Sequence, residues 1–229
     1  MKVLILTGAG ISAESGIPTF RGSDGLWEGH RLEEVATPAA FERNPGLVQE
    51  FYNQRRRRLL AGDILPNAAH LALAGFEAGH DDEFLLVTQN IDDLHWRAGS
   101  RNVLPMHGEL LKARCVDSGA VFDWRDDLTL QTPHPNDPSR RGRLRPHVVW
   151  FGEMPIGLER IETAARDADL FIAIGTSAVV YPAAGIVQAT RPDCRTVEIN
   201  LDQTPQSKAF DESIRGKASI EVPKFLQSL

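Results

Sequence analysis

Residues 3–13 read Val-Leu-Ile-Leu-Thr-Gly-Ala-Gly-Ile-Ser-Ala, an apolar run that leads directly into a turn containing two glycines. A short apolar run that ends in this way is typical of a strand buried in a parallel sheet. From Gly8 to Ala13 the residues fit the pattern G-x-G-x-x-A, in which glycines allow a tight turn and let backbone N–H groups approach a pyrophosphate at a helix N-terminus. The stretch therefore predicts a strand, a phosphate-binding turn and a helix, although a glycine turn without a ligand produces the same pattern.

The residues that follow argue against a standard dehydrogenase. In those enzymes an acidic residue about 20 positions further on ends a second strand and binds the ribose of the dinucleotide. Here that place is taken by residues 20–25, Phe-Arg-Gly-Ser-Asp-Gly, which have the composition of a loop. NAD therefore stays a candidate ligand, whereas the arrangement for hydride transfer is missing.

Three further β-rich runs also end in small or polar residues. They are Phe84–Thr88, Leu170–Ile174 and Thr196–Ile199. Helix-length segments lie between the runs, at Asn67–Ala78, Leu158–Ala168 and Ala183–Ala189. Strands that alternate with helices predict an α/β fold, a Rossmann-like doubly wound parallel sheet. Ligands of such sheets bind beyond the carboxyl ends of the strands, which is where these polar residues fall.

Two segments do not fit this alternation and predict a smaller second lobe formed by two insertions. Residues 26–60 are mostly helical in pattern, with turns at Thr37-Pro38 and near Asn44-Pro45. Residues 115–146 are rich in Pro, Asp, Arg and Asn, and their part from Gln131 to Gly142 has the composition of an irregular loop. We expect one domain over residues 1–229, with a large lobe at about 1–25, 70–112 and 147–229 and a small lobe at about 26–69 (helical) and 113–146.

The composition is that of a globular protein with an acidic balance. Hydrophobic residues make up 42% and the formal net charge is −6, so no global basic field would attract nucleic acid. The run Arg55–Arg58 would fan around a helix axis, which predicts a solvated face. No apolar run approaches the ~20 residues that cross a bilayer, and Met1–Leu6 is too short for a signal peptide. Two cysteines, Cys115 and Cys194, fit a reducing cytosol. We expect a cytoplasmic monomer.

Six motifs follow one another along the chain. The first reads Gly-Ala-Gly-Ile-Ser-Ala-Glu-Ser-Gly-Ile-Pro-Thr-Phe-Arg from Gly8 to Arg21. The others are Gln89-Asn90-Ile91-Asp92, His107-Gly108, Val-Val-Trp-Phe-Gly-Glu from Val148 to Glu153, Gly175-Thr176-Ser177, and Asn200. In content and order these motifs resemble those of the sirtuins, which are NAD-dependent protein deacylases. The resemblance runs over nearly the whole chain, and on it the sequence is identified as a member of that family.

The resemblance implies that NAD is a co-substrate and that acyl-lysine proteins or peptides are the partners. In the family the acyl oxygen attacks the ribose carbon as nicotinamide leaves, and O-acyl-ADP-ribose is the product. His107 is implied as the general base that takes a proton from a ribose hydroxyl, which then attacks the resulting imidate. Neutral imidazole suits this near pH 7, because its unperturbed pKa is about 6.5. Asn90 and Asp92 complete the implied catalytic set.

The family pattern also implies which residues bind NAD. Arg21 would offset the phosphate charge, and Phe20 would shield the reacting ribose from water. Asn200 and Asp202 would bind the adenosine ribose. Thr176 and Ser177 are implied phosphate and ribose contacts, and they are equally suited to capping a helix after Gly175. The full implied set is Gly8, Ala9, Gly10, Ser12, Ala13, Phe20, Arg21, Trp27, Gln89, Asn90, Ile91, Asp92, Gly175, Thr176, Ser177, Asn200, Leu201, Asp202 and Ala218.

The acyl group is expected to meet Tyr52 and Arg55, which share one face of a helix because they are three residues apart. They resemble the Tyr-x-x-Arg pair of the sirtuins that prefer succinyl, malonyl or glutaryl lysine, and a phenol and a guanidinium can bind a distal carboxylate. Ala36 matches a small residue that widens the pocket in that class. Phe151, Gly152 and Glu153 resemble a strand segment that pairs with the substrate peptide. Val148 is expected either to contact the acyl group or to be a core residue.

The chain departs from the family at the zinc site, which is made of two cysteine pairs in most sirtuins. Cys115-Val116-Asp117-Ser118 retains one thiol of the first pair, and residues 133–137, Pro-His-Pro-Asn-Asp, stand where the second pair is expected. Structural zinc requires four tetrahedral ligands, mostly thiolate or imidazole. A substitute set of Cys115, His134 and Asp137 is the less favoured alternative. We expect a lobe without metal, held by packing of Val121, Phe122, Trp124 and Leu144.

Two other functions would use the same phosphate-binding turn. An NAD glycohydrolase or ADP-ribosyl transferase would not need the peptide-binding segment or the Tyr52/Arg55 pair. A non-catalytic sensor of NAD or ADP-ribose would not need His107, Asn90 and Asp92 together. The deacylase is therefore the leading hypothesis.

Overall fold

The central element is a parallel sheet of six strands. The computed structural model describes residues 1–19, 26–27, 29–177, 179 and 181–229, and for Leu26 and Trp27 it describes the backbone alone. In chain order, the strands of this sheet and of three smaller sheets are β1 (Val3–Thr7), β2 (Leu26–Trp27), β3 (His30–Arg31), β4 (Phe84–Thr88), β5 (Val103–Pro105), β6 (Gly108–Cys115), β7 (Val121–Asp123), β8 (Pro133–His134), β9 (Asp137–Arg141), β10 (Leu144–Val148), β11 (Leu170–Ile174), β12 (Arg195–Asn200) and β13 (Glu212–Arg215). The α-helices are α1 (Ala9–Ser12), α2 (Leu32–Val35), α3 (Pro38–Arg43), α4 (Pro45–Leu59), α5 (Ala68–Ala78), α6 (Leu94–Ala98), α7 (Leu158–Asp167) and α8 (Ala218–Gln227), and short 3₁₀ helices cover Ala13–Ser15, Ala183–Ala189 and Ser207–Ala209.

The sheet order is β13-β12-β11-β1-β4-β5, and every neighbouring pair is parallel. The chain therefore moves outward from β1 in both directions, which is the doubly wound arrangement predicted from the sequence. β1 is buried on both sides because alternate residues face opposite layers. Val3 and Ile5 pack in the layer of α5 and α8, and Leu4 and Leu6 pack on the other face with the α7 and 183–189 layer.

The predicted strand and helix positions of the large sheet are confirmed within two residues. The edge strands β5 and β13 were not among the predicted strands, because both are short and β13 has the polar sequence Glu-Ser-Ile-Arg. The segment Ala183–Ala189 is helical as expected, in a 3₁₀ conformation.

Helices α3 and α4 of the first insertion begin at the two turns that the sequence predicts. The Thr37 side chain caps α3 by accepting from Ala40 N at 3.1 Å, and the Asn44 side chain caps α4 by accepting from Leu47 N at 3.1 Å. A proline follows each cap at the first helical position, where its missing N–H is not needed. The prediction of helices separated at Thr37-Pro38 and Asn44-Pro45 is confirmed.

The second insertion contains an antiparallel sheet, β10-β6-β7, and the two-stranded hairpin β8-β9. The prediction of an irregular loop from Gln131 to Gly142 is wrong, because this hairpin occupies most of it. All five residues of β9 are exposed, so the strand carries no alternation of apolar and polar residues by which it could be recognised. The lobe boundaries proposed from the sequence stay a prediction.

The packing beneath this sheet differs from the prediction at one residue. Phe122, Trp124 and Leu144 pack with Ala113, Cys115 and Leu128 as a small core, whereas the Val121 side chain is 44% exposed. Successive residues of a strand point to opposite faces, so Phe122 and Val121 cannot both face this core.

Helix α4 binds the second insertion through buried polar side chains. Asn53 donates to Leu128 O and accepts from Leu128 N, both at 2.8 Å. Gln49 donates to Leu144 O at 3.2 Å, and Arg56 donates from Nε to Leu110 O at 3.2 Å. Arg56 is fully buried, so the prediction of a solvated face for the whole run Arg55–Arg58 is wrong. Burial lowers the pKa of Arg56 to about 10.

Among the described residues, no helix is both long enough and apolar enough to cross a bilayer.

Candidate active site

The turns after β1 and β11 touch each other at three glycines. Gly10 N donates to Gly175 O at 2.8 Å. A Cβ on Gly10 would lie 2.7 Å from Gly175 Cα, and a Cβ on Gly8 would lie 2.8 Å from Thr176 Cα. Gly175 has φ of +61°, and a Cβ there would lie 2.4 Å from Ile11 N. Any side chain at these positions would separate the two turns, which explains the glycine pattern as a requirement of the fold.

A cavity of about 1930 Å³ lies beyond the carboxyl ends of the central strands. It extends from the glycine turns to α4 and to the segment after β10. The predicted site residues that line it are Gly8, Ala9, Gly10, Ser12, Ala13, Ala36, Tyr52, Arg55, Gln89, Asn90, Ile91, Asp92, His107, Val148, Phe151, Gly152, Glu153, Gly175, Thr176, Ser177, Asn200, Leu201, Asp202 and Ala218. Phe20 and Arg21 lie outside the described residues, as does the side chain of Trp27.

A chain of hydrogen bonds joins the turn after β4 to the first glycine turn. Asn90 Nδ2 donates to Gly8 O and to Ser12 Oγ, both at 3.1 Å. Ser12 Oγ donates to Asp92 Oδ2 at 3.0 Å, and Asp92 Oδ1 accepts from Leu94 N at 3.0 Å. Burial raises the pKa of the Asp92 carboxyl to about 6. Asn90 and Asp92 are therefore fixed in place before any ligand binds.

His107 lies between β5 and β6, and its ring is hydrogen-bonded to the backbone of Gln89. Its Nδ1 is 3.0 Å from Gln89 O, and because a carbonyl can only accept, Nδ1 carries the proton. The neutral ring then has its lone pair on Nε2. Burial lowers the pKa of His107 below its ordinary value, and the hydrogen bond to Gln89 O opposes that shift only in part. The imidazole is neutral at pH 7 and can accept a proton.

The loops after β4, β11 and β12 are joined by side-chain amides. Gln89 Nε2 donates to Thr176 Oγ1 at 3.0 Å, and Asn200 Nδ2 donates to Thr176 O at 2.6 Å. Asn200 Oδ1 accepts from Leu201 N at 3.0 Å. Thr176 and Asn200 thus link these loops, and both residues line the cavity.

Tyr52 and Arg55 lie together at the α4 end of the cavity. Tyr52 is fully buried, and its hydroxyl oxygen accepts from Trp150 Nε1 at 3.0 Å, so its own proton points away from Trp150. Burial raises the pKa of the Tyr52 phenol well above its ordinary value. The Arg55 guanidinium lies 3.2 Å above the centre of the Phe51 ring and donates to Phe51 O at 2.6 Å. Ala36 and Val148 pack in the same hydrophobic cluster as Tyr52.

The segment Phe151-Gly152-Glu153 is a turn after β10, so the prediction of a strand at these residues is wrong. Phe151 N donates to Ala36 O at 3.0 Å, and Glu153 Oε2 accepts from Trp150 N at 2.8 Å. The carboxylate of Glu153 also pairs with Arg145 Nη1 at 2.7 Å. Glu153 therefore stabilises the turn, because both oxygens of its carboxylate accept hydrogen bonds from other residues of the protein.

Arg145 and Trp150 were not selected from the sequence as site residues. The Arg145 guanidinium lies 3.3 Å above the Trp150 ring and is nearly buried. Trp150 in turn donates to Tyr52. Arg145 could be recognised from its place in the strand Leu144–Val148, because a charged side chain in a buried strand requires a partner.

The position of the family's zinc site contains one cysteine and one histidine. Cys115 and His134 are both buried, and hydrogen bonds from Ser118 lower the pKa of the Cys115 thiol to about 7. No group of three or more His, Cys, Asp or Glu residues in the described chain could bind a metal ion. These residues do not fit a tetrahedral zinc site. That the protein works without zinc stays a prediction.

The chain is similar along nearly its whole length to proteins of one known family. The model of the Sir2 family matches residues 8–182. An NAD-dependent protein deacylase of Rhodopirellula baltica is 69% identical over 233 residues, which cover 99% of this chain and 98% of that protein. An NAD-dependent protein deacylase of Escherichia coli strain K12 is 57% identical over 236 residues, which cover 100% of this chain and 82% of that protein.

Solved structures agree with the sequence relatives. A Sir2 homolog in complex with NAD superposes with a TM-score of 0.88 at 41% identity, over 99% of this chain and 88% of that one. A Sir2 complex with a p53 peptide and NAD⁺ superposes with a TM-score of 0.77 at 29% identity, over 99% of this chain and 92% of that one.

Proposed function

The chain belongs to the Sir2 family, and from that premise we propose that it is an NAD-dependent protein-lysine deacylase in which His107 is the general base. The observation that carries the role of His107 is its orientation. Nδ1 is bound to Gln89 O, so the basic lone pair is on Nε2, and the residue lines the cavity. Asn90 and Asp92 line the same cavity as His107, and their side chains are hydrogen-bonded to Ser12.

The residues that line the cavity fit NAD. The glycine contacts around Gly8, Gly10 and Gly175 bring backbone to the cavity surface without side chains, which is what a pyrophosphate requires. When bound, NAD supplies an electrophilic ribose carbon, to which the acyl oxygen of the substrate bonds as nicotinamide leaves. We assign Thr176, Asn200, Leu201 and Asp202 to the adenosine half.

The protein side chains then act on that bound pair. Asn90 orients its amide toward the first glycine turn and fixes the edge of the ribose site. His107 Nε2 accepts the proton of a ribose hydroxyl, and the hydroxyl oxygen becomes the nucleophile. Because partial burial lowers the pKa of His107, its ring is neutral at physiological pH and can accept a proton.

We infer that the enzyme accepts acyl groups that end in a carboxylate, such as succinyl and malonyl, as well as acetyl. Support comes from the α4 end of the cavity, where Tyr52 and Arg55 lie side by side among apolar walls. The Trp150 N–H fixes the Tyr52 oxygen as an acceptor, which directs the phenol proton elsewhere. A guanidinium and a phenol proton together match a carboxylate better than the methyl group of acetyl-lysine.

One assay separates deacylation from the other uses of NAD. The protein is incubated with NAD and either an acetylated peptide, a succinylated peptide or no peptide, and both peptide mass and free nicotinamide are followed. Nicotinamide release that requires the acyl peptide, with matching loss of the acyl mass, is the expected result. Release without peptide would favour a glycohydrolase or ADP-ribosyl transferase, and no release would favour a sensor of NAD.

We further propose that the protein acts as a monomer in the reducing cytoplasm. Both cysteines are free and buried, in keeping with a compartment that does not form disulfides. Light scattering on the purified protein tests the oligomeric state, and a dimer mass would overturn it.

A further inference from the structure

Glu198 is a buried carboxylate outside the residues assigned so far. Its side chain is 1% exposed, and it lies in β12 two positions before Asn200. Side chains two apart on a strand share a face, so Glu198 and Asn200 point to the same side of the sheet. Asn200 is among the residues that line the cavity, and Glu198 is not. Glu198 therefore lies near the cavity without lining it.

Four donors converge on this carboxylate. Thr204 Oγ1 donates to Oε1 at 2.5 Å, and Ser207 Oγ donates to Oε2 at 2.6 Å. Arg215 Nη1 pairs with Oε2 at 2.8 Å, and Ser213 Oγ donates to the same oxygen at 3.2 Å. A buried carboxylate is tolerated only when its lone pairs are used in this way. The arrangement therefore fixes the positions of its donors.

Two of these donors belong to residues 201–207, which we call the adenosine loop. Leu201 to Pro205 of this loop line the cavity. Besides Thr204 and Ser207, the backbone of the loop is bound by Arg215, whose Nη1 donates to Asp202 O at 3.2 Å. Arg215 Nη2 also donates to Ser207 Oγ at 2.8 Å. The pair of Glu198 and Arg215 thus holds the adenosine loop from its buried side.

We propose that Glu198 is a positioning residue for the adenosine half of NAD, acting through the adenosine loop that it anchors. The inference rests on the placement of NAD proposed above. Glu198 touches no reacting atom, so its loss should weaken NAD binding and leave the chemistry of bound NAD unchanged. Binding of the acyl peptide at the α4 end of the cavity should also be unchanged.

The test is Glu198→Gln, which keeps the shape but replaces one acceptor oxygen by an NH₂ group. That group would face a hydroxyl of Thr204 or Ser207 that now has no acceptor, so the loop must shift. We expect the KM for NAD and the Kd of ADP-ribose to rise about tenfold, because charge-assisted hydrogen bonds are lost. We expect kcat at saturating NAD and the KM for the acyl peptide to change less than about twofold.

Two further variants keep the test sharp if Glu198→Gln folds poorly. Ser207→Ala removes one donor and should raise the Kd of ADP-ribose in the same direction by about threefold. Asp211→Asn is the matched control. Asp211 accepts from Thr196 N at 2.8 Å and Thr196 Oγ1 at 2.9 Å at the opposite end of β12. It should leave both NAD and ADP-ribose affinities unchanged.

Unchanged affinity for NAD and ADP-ribose in both Glu198→Gln and Ser207→Ala would overturn the proposal. So would an equal loss of affinity for NAD and peptide, or a matching loss in Asp211→Asn, because each would indicate general damage. A wild-type protein that neither binds ADP-ribose nor releases nicotinamide would instead refute the proposed function itself.

Discussion

At the scale of single residues, the site depends on side chains whose free rotation has been removed by a second partner. Gln89 O sets the tautomer of His107, and Trp150 N–H sets the direction of the Tyr52 hydroxyl. The Arg55 guanidinium lies over the Phe51 ring and donates to Phe51 O. These partners are backbone or aromatic groups, so the reactive and recognising atoms are oriented before substrate arrives. Such preorganisation is what makes one charged side chain able to distinguish between acyl groups.

Arg55→Met tests acyl recognition at this scale. Removing a charge-assisted hydrogen bond to the acyl carboxylate should lower kcat/KM on succinyl-lysine peptide by about 10- to 100-fold. Activity on acetyl-lysine peptide should fall by less than about threefold, since acetyl has no carboxylate to bind. The control is Arg57→Met, whose guanidinium pairs with Glu50 and Asp127 on the outer side of α4. Equal losses on both peptides in Arg55→Met would contradict the assignment.

At the scale of elements, α4 has a double role. Tyr52 and Arg55 line the cavity, while Gln49 and Asn53 bind the backbone of the second insertion and Arg56 binds Leu110 O in β6. The insertion carries only one of the thiols that hold zinc elsewhere in the family. Its small core and its bonds to α4 can orient it without a metal ion. We therefore regard α4 as the element that couples the position of this lobe to the acyl pocket.

Asn53→Ala tests this coupling. It removes three buried hydrogen bonds, two with Leu128 and one from Arg56 Nη1. It also leaves Leu128 N and O unsatisfied, and the loss should cost about 2–4 kcal/mol. For a chain of this size that corresponds to a fall in Tm of roughly 5–15 °C. Gln54→Ala, on the exposed side of the same helix, should change Tm by about 1 °C or less, as surface substitutions do.

Measurements of Tm also test whether the second insertion contains a structural zinc ion. Chelator treatment should leave the Tm and the activity of the wild-type protein unchanged, and metal analysis should find far less than one zinc per chain. About one zinc per chain, or a large fall in Tm with chelator, would contradict a lobe held by packing and by α4.

At the scale of the whole molecule, two neutral histidines are buried between the sheet and its helices. The His70 and His95 rings lie 4.9 Å apart, and His95 Nε2 is 3.0 Å from Thr7 Oγ1 at the end of β1. Burial lowers the pKa of His70 to about 4 and that of His95 to about 3. Both rings gain protons on unfolding below about pH 6.5, so acid favours the unfolded chain.

The free energy of unfolding should therefore fall as the pH drops from 6.5 to 4. Each histidine contributes a slope of about 1.4 kcal/mol per pH unit. Asp92 opposes one of them, because its raised pKa makes the folded protein take up a proton near pH 6. Near pH 5 these three groups together should give a net slope of about 1.4 kcal/mol per pH unit, which corresponds to the uptake of one proton on unfolding. Denaturant unfolding at several pH values measures it, and His70→Asn should lower the slope by about one proton. An unaltered slope in that variant would refute the account.

The sequence allowed prediction of the parts whose physics is local. β1, β4 and β11 are largely apolar runs that end at small or polar residues, and these features require no knowledge of distant contacts. The glycine turns likewise follow from close backbone approach. By contrast, the burial of Arg56 depends on the carbonyl of Leu110, far away in the chain. The turn at Phe151 depends on Ala36 O, and the role of Glu198 depends on a loop folding back over it. No local pattern carries such information.

The central claim, that His107 is the base of an NAD-dependent deacylation, is tested most directly by separating two reactions in His107→Asn. Labelled nicotinamide exchange into NAD, in the presence of acyl peptide, reports departure of nicotinamide, which precedes the proton transfer to His107. Deacylated peptide reports the complete reaction. We predict that exchange is retained within about tenfold while deacylation falls by about 10²- to 10⁴-fold, the usual contribution of a general base. Deacylation that persists near the wild-type rate, or that falls only as far as exchange does, would contradict the assignment.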